Sequence, residues 1–108
     1  VDKVTGTERV QQEALTFAGE TDSVFRTSDP VTLHDPALGR RLFVSTEGAA
    51  NLVVWNPWAA KAKDVPDIGD DDWERFVCIE GANAFEDAVA LEPGQSHTTT
   101  YRVEVQPL

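Results

Sequence analysis

The sequence predicts an all-β chain folded as an antiparallel β-sandwich. Apolar residues occur in short runs or alternate with polar residues, as they do in Val31–Asp35 and in 98–105. Turn-forming sequences separate these runs at intervals of about 8–12 residues, a spacing typical of sandwiches. We therefore expect seven or eight short strands, with no internal repeat, linker or domain boundary. The 108 residues would form a single domain or part of a larger one.

The expected elements follow from local patterns along the chain. Residues 8–17 are ambiguous, because they could form a polar strand or, by propensity, a short helix. The alanine-rich segment 58–63 follows a proline and is expected to be helical, with a further single turn near 70–74. Strands are expected at 23–26, 31–35, 40–46, 52–55, 75–80, 88–91 and 98–105.

Composition and charge exclude several classes of partner. The net charge of −10, from nineteen acids against nine bases, repels nucleic acid and anionic membranes. No apolar run approaches a membrane span, and no signal segment opens the chain. The chain begins at Val1 without a methionine, which indicates a processed, trimmed or fragmentary polypeptide. Its single cysteine, Cys78, is interpreted as a buried reduced thiol in a cytoplasmic protein.

Two apolar runs at 52–55 and 76–79 are interpreted as buried strands, and the second ends at Glu80. A carboxylate buried at such a position costs several kcal/mol unless it is hydrogen-bonded or paired. Catalysis or ligand binding would account for it. The alternative is a glutamate at a strand end that faces solvent, which is common in proteins.

The region around these runs carries a family resemblance. W-N-P-W at 55–58, G-D-D-D-W at 69–73 and F-V-C-I-E-G-A-N-A at 76–84 are preceded by V-D-K-V-T-G and T-D-S-V-F-R and followed by L-E-P-G-Q-S-H-T. In this order they resemble the C-terminal part of the hexose-6-phosphate mutarotases (glucose-6-phosphate 1-epimerases) of the aldose 1-epimerase family. The resemblance implies the C-terminal part of a galactose mutarotase-like supersandwich. It also implies a cofactor-free isomerase that interconverts the anomers of an aldohexose 6-phosphate such as glucose 6-phosphate.

The same resemblance implies roles for particular residues. Glu80 stands at the position of the general base that takes a proton from the anomeric hydroxyl. Asp22 stands where the family has an acid that accepts hydrogen bonds from sugar hydroxyls, although a turn aspartate is equally plausible locally. Trp55 and Asn56 are candidate substrate-binding residues, because a tryptophan face suits the apolar side of a pyranose. The alternative for Trp55 is a core residue.

Other expected parts of the family's site are missing. The catalytic histidine and the phosphate-binding arginines of the family lie upstream of the matched segment. Neither His34 nor His97 matches the histidine motif, so both are interpreted as structural or surface residues. The acidic cluster at 67–74 lacks the spacing of a calcium-binding loop and is interpreted as a solvated loop, so no metal site is expected.

Two other functions remain open from the sequence. The chain could be a non-catalytic carbohydrate-binding β-sandwich, or a structural or interaction fragment without a ligand. Whether the chain belongs to an enzyme or to a carbohydrate-binding domain, its expected ligand is a hexose phosphate or another aldose. If upstream strands are absent, open sheet edges and apolar surface predict self-association or marginal stability of the isolated chain.

Overall fold

The computed structural model describes all 108 residues, and most of its regular structure is β-strand. The strands form two antiparallel sheets of three strands each, with little helix. The predicted fold class is therefore confirmed. Six strands form, rather than the expected seven or eight: β1 (Thr21–Phe25), β2 (Val31–Asp35), β3 (Arg40–Glu47), β4 (Asn51–Asn56), β5 (Cys78–Ala82) and β6 (Thr100–Pro107).

The first sheet has the strand order β1-β4-β5, so its central strand lies between two strands that are distant from it in sequence. That central strand carries the apolar run that predicted it, and Leu52 at its start is only 3% exposed. An isolated antiparallel bridge joins Asp2 to Ser23, which lies in the edge strand β1.

The second sheet has the order β2-β3-β6, and its register is continuous. Leu42 of β3 lies opposite Leu33 on one side and Val105 on the other, so the three apolar side chains share one face. Val44 on the same strand is 3% exposed and forms the buried centre of this sheet. The alternation in 31–35 and 98–105 therefore predicted the apolar faces of two of the three strands.

Helical structure is limited to short segments. The predicted helix forms as α1 (Trp58–Ala62), directly after Pro57. The predicted turn near 70–74 is a 3₁₀ helix at Asp72–Arg75, and further 3₁₀ turns occupy Pro36–Leu38 and Phe85–Asp87. No helix combines the length and apolar character needed to cross a membrane.

The chain divides into two compact units, each built from two segments of sequence. The first unit contains Val1–Phe25 and Val53–Glu80, and its buried apolar residues are Val24, Pro57 and Ala62. The second unit contains Arg26–Leu52 and Gly81–Leu108. Its buried apolar residues are Val44, Ala49 and Leu52.

Two expected elements are absent for the same physical reason. Residues 8–17 form neither strand nor helix, and residues 88–91 form no strand. A strand requires a partner for its backbone groups, and neither segment is paired in a sheet. In the first, the Gln11 side chain donates instead to the Glu13 carbonyl at 2.8 Å, a local contact that competes with regular structure. In the second, Val89 and Leu91 are 44% and 54% exposed.

The strand expected at 75–80 is shifted towards the C-terminus. Phe76 follows the 3₁₀ turn, and its carbonyl accepts a hydrogen bond from the Asn56 side chain at 2.7 Å. β5 begins two residues later at Cys78 and continues through Gly81 to Ala82, residues expected to form a loop. Glu80 therefore lies in the middle of a strand rather than at its end.

Asn51 is the most buried polar residue of the second unit, with 1% of its surface exposed. Its amide oxygen accepts from the Ala84 backbone N–H at 2.8 Å, and its amide nitrogen donates to the Asp87 carboxylate at 3.0 Å. A buried amide is stable only when its donors and acceptors are matched in this way. Asn51 thereby ties the start of β4 to the segment that follows β5.

Asn83 and His97 hold the tight turn before β4. Asn83 donates to the Gly48 carbonyl at 2.9 Å and accepts from the Ala50 N–H at 3.0 Å. His97 lies with Nε2 2.6 Å from the same Gly48 carbonyl, which can only accept, so Nε2 carries the proton. Gly48 has a φ of +77°, and a Cβ there would overlap the Thr98 carbonyl. His97 thus has a structural contact, in keeping with its interpretation from sequence.

Candidate active site

The strand order brings the candidate residues onto neighbouring strands of the first sheet. Asp22 lies on β1, Trp55 and Asn56 lie at the end of β4, and Glu80 lies on β5. Because β4 is paired with both other strands, candidate residues that lie on different strands, 24 to 58 positions apart in sequence, are carried by one three-stranded sheet. All of them belong to the first compact unit.

Glu80 offers an available carboxylate. Its side chain is exposed, and it forms no hydrogen bond or ion pair within the chain. The structure therefore agrees with the solvent-facing alternative drawn from the sequence, although Glu80 lies within β5 rather than at its end, and no burial penalty requires a ligand or a catalytic role to offset it. An exposed, unpaired carboxylate is an acceptor with both oxygens open to a ligand hydroxyl.

The pKa of Cys78 and its position on β5 indicate which face of the strand carries the Glu80 side chain. Burial raises the pKa of the Cys78 thiol, and the negative charge of Glu80 raises it further. The two residues are two positions apart on β5, and side chains at that spacing point to the same face of a strand. The carboxylate of Glu80 therefore lies on the same face of β5 as the partly buried thiol.

This electrostatic contact makes a testable prediction for Cys78. Only the thiolate is alkylated, so a raised pKa shifts the pH midpoint of iodoacetamide reaction above that of the urea-unfolded chain. Glu80→Gln removes the negative charge that adds to the effect of burial, so it should lower the native midpoint part of the way towards that of the unfolded chain. The midpoints are measured from alkylation rates between pH 7 and pH 11, with Glu92→Gln as a control at an exposed glutamate in the other unit. A native midpoint equal to that of the unfolded chain would contradict the prediction.

Asp22 is engaged by a lysine in this chain. Its carboxylate Oδ2 lies 3.1 Å from Lys3 Nζ, and its carbonyl accepts from the Lys3 N–H at 2.7 Å. The side chain is 19% exposed, so the carboxylate is reachable only in part. Asp22 lies within β1, and the turn before it is closed by Thr21 Oγ1 donating to the Gly19 carbonyl at 3.1 Å. A carboxylate has about four acceptor positions, so Asp22 retains capacity for a sugar hydroxyl beside its lysine.

Trp55 is partly buried on β4 and packs against an aromatic neighbour. Its ring centroid lies 5.9 Å from that of Phe76, with the planes tilted by 43°. This distance and tilt fall in the range preferred by aromatic pairs. The ring contact covers part of the indole, and the residue as a whole is partly exposed.

Asn56 uses its amide to hold the segment that precedes β5. Its Nδ2 donates to the carbonyls of Trp73 and Phe76 at 2.9 and 2.7 Å. Its Oδ1 accepts from the Trp58 N–H at 2.9 Å, and the residue is only 4% exposed. Both amide protons and one acceptor position are therefore committed to main-chain groups. The geometry gives Asn56 a positioning role, in which it fixes the aromatic residues around it.

An open aromatic pocket of about 260 Å³ lies beside Asn56 in the first unit. Within it the rings of Trp58 and Trp73 are in contact, with centroids 4.4 Å apart and planes tilted by 45°. Trp58 has a φ of +61°, a left-handed conformation that is strained for a bulky residue and that clusters at functional sites. The residues that line the pocket are Phe17, Asn56, Trp58, Trp73, Glu74 and Phe76.

Sequence reasoning did not identify this pocket. Phe17 and Glu74 carry no local signal, because the first lies in an irregular segment and the second in an acidic one. The position of two tryptophans between the apolar runs was the available signal. The acidic segment itself is exposed, and no three His, Cys, Asp or Glu side chains in the chain are grouped to hold a metal ion.

Comparison with known proteins agrees with the sequence resemblance. The family model described as Aldose 1-epimerase matches residues 1–104. A Cenchrus ciliaris protein named "Putative glucose-6-phosphate 1-epimerase" is 35% identical over 86 residues, which cover 79% of this chain and 26% of that protein. A protein of the same name from Escherichia coli K12 is 33% identical over 100 residues, covering 90% of this chain and 34% of that protein.

The chain thus spans between a quarter and about a third of the length of these relatives. No solved structure matches it significantly. Because the family model covers nearly the whole chain, and the residues that first suggested the resemblance fall inside the match, the chain belongs to the aldose 1-epimerase family.

Proposed function

We propose that this chain is the C-terminal portion of a cytoplasmic hexose-6-phosphate mutarotase, which interconverts the α and β anomers of glucose 6-phosphate or a similar aldohexose 6-phosphate. The names of the two relatives support this substrate class. The observation that carries the proposal is the match of the aldose 1-epimerase family model to residues 1–104, within which Glu80 offers an unpartnered carboxylate on the sheet that also holds Asp22 and Trp55. The single free cysteine supports a reducing compartment.

In the proposed mechanism, Glu80 acts as the general base. It takes the proton of the C1 hydroxyl while an acid protonates the ring oxygen, and the bond between C1 and the ring oxygen breaks to give the open-chain aldehyde. Rotation about the C1–C2 bond then presents the other face of the carbonyl. The hydroxyl that carries the former ring oxygen attacks C1 and gives its proton back to the acid, while Glu80 returns its proton to the C1 oxygen. The anomeric centre is thereby inverted. The acid and the phosphate-binding residues belong to the part of the protein that precedes this chain.

The other candidate residues hold the sugar in this proposal. Asp22 accepts hydrogen bonds from ring hydroxyls, and the exposed part of Trp55 lies against the apolar face of the pyranose. Asn56 contributes by fixing the surrounding aromatic segment through its three hydrogen bonds. Proton transfer and ring opening require no electron carrier or group carrier, so the proposed reaction proceeds without a cofactor.

A second candidate is a non-catalytic carbohydrate-binding domain. The open pocket lined by Trp58 and Trp73, with the Glu74 carboxylate beside it, favours this candidate. Sites for small ligands combine aromatic walls with a few polar groups in this manner. In this case Glu80 would only accept a hydrogen bond from a sugar hydroxyl.

Polarimetry of the full-length protein separates the two functions. Freshly dissolved α-glucose 6-phosphate relaxes to its equilibrium mixture, and a mutarotase increases the relaxation rate in proportion to enzyme concentration. Tryptophan fluorescence measured in parallel reports whether the sugar phosphate binds. Binding without any acceleration would support the carbohydrate-binding domain and contradict the mutarotase.

A further inference from the structure

Lys3 lies directly opposite Asp22 across an antiparallel pairing within the first unit. An isolated bridge joins Asp2 to Ser23, and in an antiparallel pair the residue after the first lies opposite the residue before the second. The Lys3 N–H donates to the Asp22 carbonyl at 2.7 Å, in agreement with this register. Side chains directly opposite each other share one face, so those of Lys3 and Asp22 meet, with Nζ 3.1 Å from Oδ2.

A hydrogen-bonded turn fixes Lys3 in this place. The Asp2 carboxylate accepts from the Val4 N–H at 2.9 Å. The backbone N–H of Asp2 donates to the Thr7 carbonyl, and its carbonyl accepts from the Gly6 N–H, each at 2.8 Å. Gly6 has a φ of +73°, a left-handed conformation that glycine adopts without strain. The position of Lys3 beside Asp22 therefore follows from the backbone of this turn as well as from the attraction of the two charges.

The Asp22 carboxylate lies where a charge requires compensation. Its side chain is 19% exposed, and it shares a face of β1 with Val24, which is 4% exposed. A largely covered carboxylate is costly unless it is paired or hydrogen-bonded. The Lys3 ammonium supplies the opposite charge. Because it contacts one carboxylate oxygen, it also restricts rotation of the carboxylate and so directs the other oxygen.

We propose that Lys3 is a positioning residue of the sugar site, which holds the Asp22 carboxylate so that its Oδ1 oxygen accepts a hydrogen bond from a sugar hydroxyl. This inference rests on the proposed function, in which Asp22 binds the sugar. The proposed substrate carries a phosphate, and the chain has a net charge of −10. Lys3 offsets the charge of Asp22 and thereby lowers the repulsion between the site and this anionic ligand. Lys3 acts through Asp22 and takes no part in proton transfer.

Substitution of Lys3 in the full-length protein tests this role. Lys3→Met keeps the aliphatic stem but removes the charge and the donor, so it should raise the dissociation constant for glucose 6-phosphate by roughly fivefold or more. The turnover number should change by less than about twofold, whereas a general structural defect would lower turnover as well as affinity. Lys3→Arg keeps a cation with N–H donors and should retain most of the affinity. Tryptophan fluorescence measures the dissociation constant, and polarimetry measures turnover.

A double-mutant cycle with Asp22→Asn separates a positioning residue from an independent substrate contact. If Lys3 acts through Asp22, Lys3→Met should cause little further loss of affinity in the Asp22→Asn protein. Lys63→Met is the matched control, since it removes one positive charge at an exposed position of the same unit. It should leave both affinity and turnover unchanged.

The affinity cycle requires no turnover, so it tests Lys3 separately from the mutarotase activity. A Lys3→Met protein with wild-type affinity would overturn the positioning role, and so would equal losses of affinity in the two backgrounds. Lys3→Arg binding no better than Lys3→Met would also overturn it. A wild type that binds glucose 6-phosphate without accelerating anomer exchange would contradict the mutarotase, and the same cycle would still decide the role of Lys3. A wild type that does not bind the sugar phosphate would overturn both proposals.

Discussion

The full-length protein with Glu80→Gln is expected to bind glucose 6-phosphate as well as the wild type but to interconvert its anomers at least ~100-fold more slowly. Glutamine keeps the shape of the side chain and can still hydrogen-bond the C1 hydroxyl, but it cannot accept the proton. General-base catalysis by a positioned side chain contributes about 10²–10⁴-fold. Because Glu80 is exposed and forms no hydrogen bond or ion pair within the chain, the substitution removes only its electrostatic effect on Cys78.

The comparison with Asp22→Asn makes the expected result specific. Asp22 is proposed to hold hydroxyls, so its variant should weaken binding more than it slows turnover. Dissociation constants from tryptophan fluorescence and turnover numbers from polarimetry separate the two effects. Glu92→Gln, at an exposed position in the other unit, controls for the loss of one negative charge. If Glu80→Gln lost binding in proportion to activity, the residue would be a binding group rather than the base.

The second large effect is expected on stability, at Asn56. Asn56→Ala removes three hydrogen bonds to main-chain groups at a position that is 4% exposed. A buried polar group left without a partner costs about 1–3 kcal/mol, and water can reach some of these groups, so we expect a loss of about 2–4 kcal/mol in the free energy of unfolding. Urea denaturation of the full-length protein, followed by tryptophan fluorescence, measures this change.

Asn56→Asp tests the same role with almost no change of shape. It keeps the acceptor for the Trp58 N–H but places a carboxylate against the carbonyls of Trp73 and Phe76, where two donors stood. It should destabilise more than alanine at neutral pH, and part of the loss should be recovered in acid, where the introduced carboxyl gains a proton to donate. Gln12→Glu makes the equivalent change on the surface and should alter stability by less than about 0.5 kcal/mol. Equal effects at the two positions would contradict a positioning role for Asn56.

The sequence predicted those strands whose pattern is local. Val31–Asp35 and the alternating C-terminal strand were located because a strand with one covered face repeats every two residues. The structure of residues 8–17 could not be predicted in this way, because propensity alone does not reveal whether a partner strand is available. The start of β5 was misplaced for a related reason. The Phe76 carbonyl is taken by the side chain of Asn56, a contact twenty residues away in sequence.

The candidate site was predictable only as a set of residues. Motif resemblance indicated Glu80 and Asp22 as functional, but their placement on β5 and β1 of one sheet depends on the non-local strand order β1-β4-β5. The positioning role of Asn56 could not be predicted from the sequence, since the groups to which its amide donates are main-chain carbonyls that carry no sequence signal. The aromatic pocket formed with Phe17 was missed for the same reason, because it joins residues from distant segments.

The central proposal is that the Glu80 carboxylate is the base of an anomer-interconverting enzyme, and exchange NMR tests it most directly. Magnetisation transfer between the α and β anomeric signals of glucose 6-phosphate at equilibrium measures interconversion without a coupling enzyme. With wild-type full-length protein, the exchange rate should rise in proportion to enzyme concentration, and with Glu80→Gln it should fall by at least ~100-fold. An exchange rate for Glu80→Gln within about threefold of wild type, well below the range for a positioned base, would show that Glu80 is not the base.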